Sequence, residues 1–204
     1  MQYDWTKLDR EAMRAFLDKV RSSAEPMLFS PQTSEVTYTA LPFYARHSLY
    51  RLVNYAALPL FQMDFLGDGE DFVYLDGSQA ALDAVHTGEP PHLSEDNVLD
   101  YLQFAFDMTR AQSHDLIVVT DIANAPLLDS LNNEQQADIL AHHERAVINY
   151  DADQQKFHVT STLLDNGALV AADLEIDSAG RVDIVDEHML LGRKLQRDEL
   201  QQAL

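Results

Sequence analysis

Tyr44, His47, Arg51 and Tyr55 are the residues of this chain whose types and spacing come closest to describing a binding site. Steps of three and four put side chains on one face of a helix, so a helix through this stretch would align two phenols, an imidazole and a guanidinium. A guanidinium forks two parallel hydrogen bonds onto a carboxylate or phosphate, and the imidazole gains charge near neutral pH. Arg46 adjoins the stripe, and no lysine or arginine follows from Leu52 to Thr109, a span with eleven acids. The two arginines form a small cationic island, and the ligand expected there is a small anion. The plainer reading is that Arg51 neutralises a nearby acid and the tyrosines are half-buried packing residues.

Other constellations are weaker. The run Asp64 to Asp71 gathers carboxylates of the kind Ca²⁺ takes, yet lacks the alternating acids and distant Glu of an EF-hand loop. Asp96, Asp100 and Asp107 fall on one stripe, which is also what a largely buried helix shows to water. His142 and His143 are adjacent, and adjacent helical side chains diverge by about 100°, which disfavours a shared metal. His158 lies opposite Glu175 if the strands around them pair as counted below, either as an acid-base couple or as a structural pair.

The usual signatures of chemistry are missing. There is no G-x-S-x-G elbow, no phosphate loop of the G-x-x-x-x-G-K-[ST] type, no G-x-G-x-x-G turn and no H-E-x-x-H helix. With no cysteine, disulfides, thiol nucleophiles and thiolate metal sites are excluded together. No cofactor and no metal are expected.

The elements that must position these residues read as α+β. Asn166-Gly167 suits a two-residue hairpin turn, in which both central residues have positive φ. Counting outward pairs Leu164 with Leu169, Leu163 with Val170, Ser161 with Ala172, Val159 with Leu174 and Phe157 with Ile176. Phe157, Val159, Leu163, Val170, Leu174 and Ile176 then share one face, and His158, Thr160, Thr162, Ala171, Asp173 and Glu175 the other. A slip of one residue would reverse this, so turn and alternation support one another. Ser178-Ala179-Gly180 makes a second turn, pairing Ile176 with Val182 and Leu174 with Ile184, and residues 146–150 supply one more strand. The expectation is an antiparallel sheet with a four-stranded meander over about 145–186 and helices packed on one face.

Upstream, residues 5–21 carry apolar positions at helical spacing from Trp5 to Val20. A short strand covers Glu35 to Ala40. Between Pro42 and Pro59, residues 43–57 predict a helix with Ala45, Leu49, Leu52, Val53 and Ala56 as its core stripe. Strands are expected over 60–66 and 72–75, joined at Gly67-Asp68-Gly69, then a short helix capped by Ser78. Ser94 is the expected cap of the most buried helix, and Leu116 to Val119 is an apolar strand. A helix is expected over 133–143, and the polar segment 192–204 as a frayed or docking helix. At 204 residues, without a linker or repeat, one domain is expected over 1–204.

Thirty-four acids against fourteen bases give a formal charge of −20, which argues against nucleic acid and anionic membrane as partners. No run reaches the length of a membrane span, and the first residues lack a basic, apolar leader, so a cytoplasmic protein is expected. Missing motifs and strong core patterning favour a non-catalytic domain that binds a small anionic ligand or a protein partner. The alternatives are an enzyme with an unmarked acid/base site and an acidic decoy for a basic, nucleic-acid-binding partner.

Overall fold

Asp9 begins the first helix by accepting the amides of Glu11 and Ala12 on its carboxylate, satisfying two donors that the helix itself cannot. The computed structural model describes residues 3–21, 30–56, 61–109, 116–120, 136–137, 145–165 and 168–191. They fall into two compact units, Met1–His92 and Leu93–Leu204. The expected α+β class holds, with helices and two five-stranded antiparallel sheets among the described residues. No helix among them is long and apolar enough to cross a membrane.

In the first unit the two-residue strand β1 (Thr6–Lys7) precedes helix α1 (Arg10–Val20). The sheet continues with β2 (Ser34–Ala40), β3 (Ser48–Asn54), β4 (Phe61–Gly67) and β5 (Phe72–Leu75), in spatial order β1-β2-β3-β4-β5. Met13, Phe16, Leu17 and Val20 of α1 pack on Val36, Leu52, Met63 and Phe65. Phe16 lies against Tyr50, Phe65 and Phe72, with ring centroids 4.8 to 5.5 Å apart. Trp5 and Leu8, counted with the helix in the sequence reading, lie ahead of it. Gly67 closes β4 where no side chain fits, since a Cβ there would stand 2.5 Å from the Asp71 carbonyl oxygen. Helix α2 (Gln79–Gly88) follows, capped by the Ser78 hydroxyl as expected.

The helix expected over 43–57 is corrected to a loop through His47 followed by strand β3. Seven residues of β3 pair with β2 on one side and β4 on the other. One face of β3 carries Tyr50 and Leu52 toward α1. The other is buried at Leu49 beside Leu66, yet polar at Arg51 beside Asp64. Burial on both faces blurred the two-residue alternation, and Leu49, Leu52, Val53 and Ala56 imitated a helical stripe.

In the second unit helix α3 (Val98–Met108) is buried at every position from Tyr101 to Phe106. It starts later than Ser94. The Ser94 carbonyl accepts from the amides of Asn97 and Val98, and Asn97 Oδ1 accepts from Ser94 N. The sheet is built from β6 (Leu116–Val118), β7 (Val147–Asp151), β8 (Lys156–Asp165), β9 (Ala168–Asp177) and β10 (Val182–Leu191). Its order is β10-β9-β8-β6, with β7 also paired to β8. All five pairs counted across the first hairpin occur in the register, as do Ile176 with Val182 and Leu174 with Ile184. The turn residues 166–167 lie outside the described residues, whereas Gly180 has the left-handed φ of 81° that its turn requires. Gln103 Oε1 on α3 accepts the Val118 amide at 2.9 Å, and the Tyr101 hydroxyl donates to the Gly180 carbonyl. These bonds and the apolar strand faces hold the helix to the sheet.

Thr162 departs from the expected wet face, for it is 4% exposed. Most of the helix expected over 133–143, with His142 and His143, and the segment 192–204 lie outside the described residues.

Candidate functional site

Glu89 is a buried charged residue of the first unit. It ends α2, where its own amide donates to the Val85 carbonyl, and its side chain is 5% exposed. One carboxylate oxygen accepts the amides of Ala45 (2.8 Å) and Arg46 (3.0 Å). The other accepts the His47 amide (3.2 Å) and the His47 ring Nδ1–H. Four donors fill the acceptor capacity of a carboxylate. Burial pushes the Glu89 carboxyl upward, but the His47 ring and the Arg46 and Ala45 amides outweigh it and hold the group at about 2. A second strap runs alongside, from the His92 amide to the Phe43 carbonyl at 2.8 Å. Together they fix the loop that carries Tyr44 and His47.

The Tyr44 hydroxyl meets His86 Nε2 at 2.7 Å in a buried contact, and the Tyr44 and His47 rings lie 6.0 Å apart. Burial, then the Glu89 charge, push the Tyr44 phenol well above its ordinary range. Tyr44 with His86 and His47 with Glu89 thus form two hydrogen-bonded pairs of titratable groups, joined where the Tyr44 and His47 rings meet edge to face. The Glu89 carboxyl is held far below neutrality and the Tyr44 phenol far above it, which suits holding the loop better than moving protons at neutral pH.

The stripe read from the sequence divides here. Tyr44 and His47 come together in the loop, while Arg51, four extended residues further, lies about 13 Å along the chain from His47. Arg51 forks onto Asp64, Nε to Oδ1 at 2.8 Å and Nη2 to Oδ2 at 3.0 Å, and its guanidinium carbon lies 4.7 Å from the centre of the Trp5 ring. Tyr55 is 59% exposed, with its amide bound to the Thr33 carbonyl at 2.9 Å. Arg51→Ala is expected to cost about 1–3 kcal/mol in urea melts, because the half-buried Asp64 loses its cation. Removing Asp64 as well should recover part of that loss. Anion binding at the stripe remains testable in the same proteins. A rise in wild-type Tm with phosphate or citrate that disappears in Arg51→Ala would put an anion on the guanidinium.

The other candidates are engaged locally. Asp68 accepts the amides of Glu70 and Asp71, and Glu70 pairs with Lys19 at 2.8 Å. No group of three or more His, Cys, Asp or Glu among the described residues is placed to hold a metal ion. His158 and Glu175 are cross-strand partners 3.6 Å apart, and Lys156 holds the other carboxylate oxygen at 2.6 Å.

Two features carry no local signature that singles them out as sites. One is Glu89 itself, although an acid at a helix C-terminus opposes the helix dipole and so signals a separate role. The other is the margin of the C-terminal sheet. β10 pairs with β9 alone among the described residues. Ile184, Val185 and Met189 on it are 40%, 61% and 49% exposed. Register shifts at Val185 and Leu190 mark two bulges. Beside the first bulge a groove of about 220 Å³ is lined by His158, Thr160, Asp173, Glu175 and Val185. No family model, no curated protein and no solved structure matches the chain.

Proposed function

We propose that the protein is a non-catalytic binding domain whose partner is another protein, taken along the outer edge of β10. The observation that carries this reading is a ten-residue strand, paired on one side among the described residues, that leaves the large apolar side chains Ile184, Val185 and Met189 exposed. Such an edge presents unpaired backbone N–H and C=O groups together with apolar surface, the combination used when one chain adds a strand to another. A protein partner is favoured over a small anion because Arg51 and His47 are already turned to Asp64 and Glu89. Nucleic acid is disfavoured by the charge of −20.

The test compares the wild type with Ile184→Lys/Met189→Lys, first by thermal melts and then by crosslinking in the cells that make the protein. Both side chains are less than half exposed but lie at the margin of the sheet, so the variant is expected to stay folded, with a Tm within several degrees of wild type, and to lose its crosslinked partners. An unchanged set of partners from a folded variant would overturn the reading.

A further inference from the structure

We infer that the segment accepted by β10 is extended and alternates apolar with basic residues, a conclusion that rests on the protein-binding reading above. β10 contains Asp183, Asp186 and Glu187 and no lysine or arginine. Next to it on β9, Glu175 is paired with Lys156 and Asp177 with Arg181 at 2.7 Å. Among the described residues no ion pair reaches Asp173, Asp183 or Asp186; Thr160 donates to Asp173 and Lys156 acts on Asp183 from a distance, so the margin keeps an excess of negative charge.

The register puts Asp173, Asp183 and Asp186 on one face and Glu187 on the other. Ile184 and Met189 stand opposite Leu174 and Val170, on the face that buries the core, while Asp183 and Asp186 stand opposite Glu175 and Asp173. A strand laid against β10 would point alternate side chains the same two ways. One set would cover Ile184 and Met189, with Glu187 opposite Ala172 between them, and the other would meet Asp183, Asp186 and the groove beside Val185. Apolar residues suit the first set and lysine or arginine the second. The groove, with Asp173 and Glu175 in its wall, has room for one such side chain.

The same charges disfavour a second copy of this chain. Two β10 strands paired edge to edge would set the acids of one against those of the other, in molecules that each carry a charge of −20. The bulges at Val185 and Leu190 also break the edge into short runs, which limits open-ended self-pairing.

The experiment uses the full chain and three blocked ten-residue peptides: alternating Arg and Val, alternating Glu and Val, and alternating Thr and Val. Binding is read by fluorescence anisotropy and by amide exchange over Asp183–Met189. The Arg peptide is expected to bind, to protect those amides, and to weaken at least about tenfold for Asp183→Lys/Asp186→Lys. Asp4→Lys/Glu11→Lys, which changes the net charge equally in the first unit, should leave binding within about twofold. Equal weakening in both variants would mean general attraction between opposite charges and would overturn the inference. Protection by the Thr or Glu peptide but not the Arg peptide would overturn the basic partner while keeping the edge as a docking site. No protection by any peptide would overturn both readings. A concentration-dependent dimer lost in Ile184→Lys/Met189→Lys would assign the edge to a second copy and overturn the inference.

Discussion

Glu89→Ala is expected to destabilise the first unit by about 2–4 kcal/mol, because one truncation strands four donors together. The amides of Ala45, Arg46 and His47 and the His47 ring all converge on this carboxylate. Glu89→Gln is expected to lose less than Ala, since one oxygen remains while the new NH₂ group faces donors. The pH dependence follows from the depressed carboxyl. Its ordinary value is 4.5 and its folded value about 2, so its contribution is fully present above about 4.5 and disappears as pH falls toward 2. That difference corresponds to roughly 3 kcal/mol. In urea melts the gap between wild type and Glu89→Gln should be constant from pH 7 to 5 and close between pH 4.5 and 2. An alanine variant within about 0.5 kcal/mol of wild type, or a gap independent of pH, would show that the loop is held by other contacts.

Leu174→Ala is expected to cost about 2–5 kcal/mol, the range for a buried leucine cut back to its Cβ. Leu174 is 2% exposed and paired with Val159 on one side and Ile184 on the other. Thr160→Ala, one strand away and exposed, loses a hydroxyl bond to Asp173 of 2.6 Å that water replaces, and should cost less than about 1 kcal/mol. The two variants differ in which face of one hairpin they touch. Equal costs in parallel urea melts would contradict the register.

How much of this was legible follows from how the signals are encoded. The hairpin of β8 and β9 could be counted residue by residue because one face is buried and the partner strand is a two-residue turn away. Period-two alternation then needs no distant contact. Ser78 as a cap and the Gly180 turn were local in the same sense, fixed by hydrogen bonds or φ within a few residues. The helical reading of 43–57 failed because Leu49 and Leu52 are buried on opposite faces of β3, and only the neighbouring strands and α1 decide that both faces are covered. Spacing alone cannot distinguish a strand buried twice from an amphipathic helix.

The candidate site divides the same way. From the residues came the chemistry of Tyr44, His47 and Arg51, the scarcity of cations around them and the strong negative charge. From the tertiary structure came their partners. Glu89 lies 42 residues from His47 in sequence, and Asp64 lies 13 from Arg51. No local pattern records a hydrogen bond of such reach, because it depends on where the chain returns rather than on what precedes it. The exposed margin of β10 is likewise a matter of neighbours. Val182 and Ile184 alternate as a core strand should, and that alternation is fixed by sequence. It is the place of β10, paired with β9 alone among the described residues and with Ile184 40% exposed, that turns the same residues from core into surface.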